Sequence, residues 1–116
     1  MIHGAINEEE RSARFQRTVA LLRDPDASLT AEAIYALSDL DGAHLAQFRA
    51  LWGEMPVARR RMLIARLVET AETNFELDFS TIVHPALDDP DADVRAAAIE
   101  GILEDSPRRI IERLMH

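Results

Sequence analysis

Side chains able to do chemistry are thinly spread along these 116 residues. Asp88, Asp89, Asp91 and Asp93 alternate for three positions as calcium-loop ligands do. The closing glycine and the distal bidentate glutamate are missing, however, and Pro90 suits the first turn of a helix, so helix capping with Asp89 accounts for them better. His3, His44, His84 and His116 form no His-x-x-x-His or Glu-x-x-His pair. The one close spacing, Asp41-x-x-His44, uses its carboxylate at a helix start, so no metal is expected. Cys and Lys are both absent, which removes thiol nucleophiles, cysteine zinc sites, Schiff-base lysines and the lysine of a phosphate loop. Serine and threonine hydroxyls have no histidine with a third orienting group beside them, and no glycine pair forms a phosphate cradle. Neither catalysis nor a cofactor is expected.

What remains is a concentration of cations, Arg59-Arg60-Arg61 with Arg66. On a helix, 59, 62, 63 and 66 lie near one face with 60 and 61 beside it. Such a run is either a docking patch for an acidic partner or a solvated face on which Arg61 pairs with a neighbouring aspartate. Tyr35 follows Ile34, lies off the buried stripe of its helix, and can reach the same face. Tyr35, Arg59, Arg60 and Arg66 are therefore the candidate partner-binding residues. Trp52, at helical spacing from Phe48 and Leu45, reads as core.

The elements that must position these residues are helices. Apolar spacing and start signals predict helices over 8–23, 29–39, 42–53, 57–73, 79–88, 91–104 and 108–115. Their inward stripes are Phe15-Val19-Leu22, Leu29-Ala33-Ile34-Leu37, Leu45-Phe48-Leu51-Trp52, Val57-Leu63-Ile64-Leu67-Val68-Ala71 and Val94-Ala98-Ile102. The fourth helix, as the longest, should form the central wall. Asp41 and Asp78 are expected to cap the third and fifth helices, Pro85 to bend the fifth, and Ser106-Pro107 to start the seventh. Residues 1–7 read as a tail without the basic region and apolar core of a secretory signal, and no apolar run approaches the ~20 residues of a membrane span, so a cytoplasmic protein is expected. A net charge of -8 disfavours nucleic acid as partner, because such binding draws on cations that neutralise phosphates.

The stretch from Leu22 to Ile34 recurs sixty-five positions later. Leu22, Asp24, Pro25, Asp26, Ala27, Ala31, Ala33 and Ile34 match Leu87, Asp89, Pro90, Asp91, Ala92, Ala96, Ala98 and Ile99. With Pro56 between them, helix-starting prolines recur at intervals in the thirties, which divides the chain into three helical hairpins and one extra helix.

Helical pairs of this period, joined by Asp-Pro-Asp and followed by Val-Arg-x-x-Ala-x-x-x-Ile, resemble the HEAT repeat of the short prokaryotic kind. The motif stands here as Asp89, Pro90, Asp91, Val94, Arg95, Ala98 and Ile102. The first repeat departs from it with Thr30 in place of the arginine; the second keeps Pro56 and Arg61 but has Arg60 in place of the valine. The resemblance implies one all-α domain over 1–116, a right-handed α-α superhelix. Its three HEAT-like hairpins would fall at approximately 8–40, 41–73 and 78–104, with a terminal helix at 106–116, and its aspartates and arginines would pair between neighbouring repeats. It also implies a non-catalytic protein-interaction or scaffold module. The alternative is an accessory subunit of a bilin-lyase-like enzyme; a nucleic-acid enzyme related to alkylpurine DNA glycosylases comes third, against which the charge and the 5% aromatic content weigh. In the last helix Ile110, Ile111, Leu114 and Met115 oppose Arg108, Arg109, Glu112 and Arg113 as a solenoid cap would, which predicts a mainly monomeric protein, a homodimer through that helix being the alternative.

Overall fold

The computed structural model describes residues 8–74 and 76–103 and the backbone of 104–114. Among them every regular element is an α-helix: α1 Glu8–Arg23, α2 Ala31–Tyr35, α3 Gly42–Glu54, α4 Val57–Thr73, α5 Ser80–Ala86 and α6 Ala92–Leu114. Glu8, Glu9 and Glu10 place negative charge at the positive end of α1, and Phe15, Thr18, Val19 and Leu22 turn its other face inward. The Thr18 hydroxyl, itself buried, donates to the carbonyl of Ala33 at 3.2 Å, which seats α2 against α1.

Helix α2 is shorter than its sequence pattern. The Thr30 hydroxyl caps it by accepting from the Ala33 amide at 3.1 Å, and after Tyr35 the chain tightens to i→i−3 bonds at Leu37 and Ser38. Asp39 then takes a left-handed conformation (φ 57°) and gives its amide to the carbonyl of Asp78 at 2.8 Å, while the Ser38 hydroxyl accepts from the Asp78 amide at 2.9 Å. The end of α2 is thus tied to the approach to α5. These long-range bonds, rather than local preference, stop the helix.

Asp41 stands before α3 but its side chain makes no capping bond; only its carbonyl accepts from Leu45. Asp78 does accept from the Ser80 amide at 2.9 Å. Pro85 lies inside α5, which ends at Ala86 and continues as i→i−3 turns to Asp89. The expected break at Ser106-Pro107 does not occur, and α6 runs unbroken for 23 residues where two helices were expected. A proline inside a helix removes one backbone bond and can leave the helix continuous. The apolar and polar faces assigned to 108–116, His3, His116, and the homodimer through the last helix lie outside the described residues.

Helix α4 is the central wall. Leu63, Ile64 and Leu67 are completely buried, each contributing roughly 1.5–3 kcal/mol by removal from water. Val57, expected inside, is exposed at the start of the helix. Helix α1 lies against α2 and α3, and α6 against α4 and α5. The α4–α6 contact is close: Val94 and Ala98 are fully buried, and a Cβ on Gly101 would come within 2.7 Å of Val68 Cγ2. Among the described residues no helix is long and apolar enough to cross a membrane.

Candidate interaction site

The arginine run begins α4, and the fold turns each of its members towards the protein's own groups. Arg59 is 5% exposed, and its Nη2 donates to the carbonyls of Leu21 at 2.7 Å and Asp24 at 2.9 Å. Those oxygens end α1, where unpaired carbonyls and the negative end of the helix dipole favour a cation. Arg60 donates to the Met55 carbonyl at 2.6 Å and pairs with Asp89, its Nε 3.1 Å from Oδ1. Arg61 grips Asp91 through two bonds of 2.9 and 2.7 Å and reaches Asp93 at 3.4 Å. Arg66 donates to the Leu29 carbonyl at 3.1 Å. Of the three arginines expected as a docking patch, Arg59 is a buried strut between two carbonyls at the end of α1, while Arg60 and Arg66 are partly exposed and each holds a bond within the protein.

Tyr35 is 48% exposed. It lines a cleft of about 230 Å³ between α1 and α2 whose cations are Arg14 and Arg17, and none of the α4 arginines enters it.

The motif residues converge on one carboxylate that sequence spacing left as a helix cap. Asp89 is buried and accepts from Trp52 Nε1 at 2.9 Å and from the Asp91 amide at 2.9 Å, besides its pair with Arg60. Burial alone would raise its pKa, but the Asp91 amide, the Trp52 indole and Arg60 together hold it below the usual carboxylate value. The capping role expected of Asp89 belongs to Asp91, whose Oδ2 accepts from the Val94 amide at 3.0 Å. The two bonds from Arg61, with the Val94 amide, keep Asp91 well below the ordinary carboxylate range. Arg95 folds back onto the carbonyls of Asp89 and Pro90 at 2.7 and 3.0 Å. Trp52 is therefore half-buried wall as well as core. The signal for this cluster was the repeat itself: Arg60 and Asp89, and Arg61 and Asp91, stand about one repeat apart, as do Gln16 and Gln47, whose amides exchange bonds of 2.9 and 3.0 Å, and Arg23 and Glu54 at 3.3 Å.

With its arginines engaged, the outward side of α4 and α6 is acidic. Ala65, Val68 and Ala97 floor a shallow groove of about 250 Å³ rimmed by Glu69, Glu72 and Glu100. Next to Glu100 on α6, Ala92, Ala96, Ile99 and Leu103 recur at intervals of four, three and four along one exposed stripe, Ile99 at 49% and Leu103 at 68% exposure. Met62 is exposed beside Ala65 and Glu69 on α4. None of these residues was singled out in the sequence as a docking surface. Among the described residues no cluster of acids and histidines could hold a metal ion; His44 stacks on Phe15 with ring centroids 4.7 Å apart.

The chain matches no protein-family model, no curated protein and no solved structure.

Proposed function

We propose that this chain is a short α-solenoid of HEAT-like hairpins acting as a non-catalytic protein-interaction module, and that its α4–α6 face receives a basic, amphipathic segment of a partner protein. The solenoid reading is supported by α1 lying against α3 and α4 against α6, the first and second helices of successive hairpins, and by the polar rungs set about one repeat apart. The observation that carries the docking reading is the apolar stripe Ala92-Ala96-Ile99-Leu103 running beside the acidic rim at Glu100. An amphipathic helix laid on this face covers the stripe with its apolar seam and meets the glutamates with its basic flank, one of the recurrent modes of peptide recognition. This reading takes a basic partner segment where the arginine run alone suggests an acidic one.

Calorimetric titration of the full chain with two peptides of equal length tests this reading, one with leucine and arginine at helical spacing and one with leucine and glutamate. The reading requires binding of the first only, weakening as salt rises. Equal binding of both, or preference for the acidic peptide, refutes it.

A further inference from the structure

On the side of the molecule carrying α3 and α5, these two helices leave an unfilled slot of about 200 Å³ between them. We infer that this slot is a binding site for a small organic carboxylate bearing an aromatic ring or short alkyl chain. Phe48, Ile82 and Ala86 are buried residues that also line the slot, and Trp52 and Pro85 complete an apolar lining. The volume exceeds the roughly 150 Å³ of an apolar cavity that takes up benzene. The tryptophan wall is held in place: its indole nitrogen donates to Asp89 at 2.9 Å, and Asp89 is itself held by Arg60 and the Asp91 amide. A ligand therefore meets a preformed surface and need not order one.

Two polar groups set the ligand's chemistry. Arg49 also lines the slot, is exposed, and has no hydrogen bond or ion pair among the described residues, whereas Arg14, Arg23, Arg59, Arg60, Arg61, Arg66 and Arg95 all do. The slot's lining contains no acid to neutralise it. Thr81 lines the opposite wall, and its buried hydroxyl has no partner. Rotation about χ1 to another staggered position moves that hydroxyl out of its buried place and offers the donor to the slot. A planar carboxylate satisfies the guanidinium fork and accepts a second hydrogen bond from the threonine hydroxyl, while its apolar tail fills the lining.

Trp52 is the only tryptophan, so its emission reads occupancy directly. We would titrate the full chain with 3-phenylpropionate and with 3-phenylpropanol, following Trp52 fluorescence and the amide resonances of 48–52 and 81–86. The carboxylate should saturate with a dissociation constant of about 1 mM or tighter. The alcohol should bind about tenfold more weakly, Arg49→Gln should remove that advantage, and Thr81→Val should weaken the acid about threefold. Arg49 is exposed and lies away from the α4–α6 face, so the substitution leaves folding and peptide docking untouched. Equal binding of acid and alcohol, an Arg49→Gln variant with wild-type affinity, or no saturable change in either signal overturns the proposal.

Discussion

Asp89 is a carboxylate that burial would push towards its neutral form, yet three donors hold it ionised. Removing it leaves the Trp52 N–H and the Arg60 guanidinium without their shared partner in a nearly dry site, and an unpaired buried charge is costly. Asp89→Ala should therefore destabilise the chain by about 3 kcal/mol, measured by urea unfolding at neutral pH. The sign of the pH effect follows from the lowered pKa values of Asp89 and Asp91. Their stabilisation is fully present above the unfolded carboxylate value near pH 4 and is lost as pH falls through their lower folded values. Unfolding midpoints should drop between about pH 4 and pH 2, and the Asp89→Asn/Asp91→Asn variant should show a shallower drop than wild type. Equal slopes would mean that the two carboxylates are unperturbed. In the sequence these aspartates were legible as turn and cap residues, because Asp-Pro-Asp chemistry is local. Which oxygen met which donor depended on α3 and α4 arriving from twenty-nine or more positions away.

At the scale of elements, two contacts fix how the helices stand. Arg59 joins the start of α4 to the end of α1, and Arg59→Met keeps most of the side-chain volume while stripping two carbonyls of their donor. The expected loss is about 2 kcal/mol by chemical denaturation, against near-neutrality for an exposed arginine such as Arg49. Gly101 lets α6 approach Val68 on α4. Gly101→Ala should cost about 1–3 kcal/mol despite alanine's better helix preference, and Val68→Ala in the same chain should recover most of it in a double-mutant cycle. Additive losses would place the two residues out of contact. Helix positions and inward stripes were readable because burial imposes a period near 3.6, and Phe15, Leu22, Ile34, Leu63, Leu67, Val94 and Ala98 are all buried as that period requires. Helix ends were less so. The Asp39–Asp78 bond shortened α2 and the unbroken α6 absorbed Pro107, and neither is encoded in local spacing.

For the whole molecule, the decisive property is where charge remains once internal pairing is complete. The sequence shows thirteen basic side chains and a conspicuous arginine run, but a linear run does not reveal that Arg59 is buried or that Arg60 and Arg61 face Asp89 and Asp91 in the turn between α5 and α6. Beside the exposed Ile99 and Leu103 stand the exposed Glu69 and Glu100. Amide chemical-shift mapping of the full chain on addition of the leucine–arginine helical peptide, for wild type and for Glu69→Arg/Glu100→Arg, is the most direct test of this account. It predicts shifts concentrated at 62–72 and 92–103 in the wild type, and at least tenfold weaker binding by the charge-reversed variant with unfolding unchanged. Shifts centred on Tyr35, Arg59 and Arg60, or undiminished affinity after charge reversal, would contradict it.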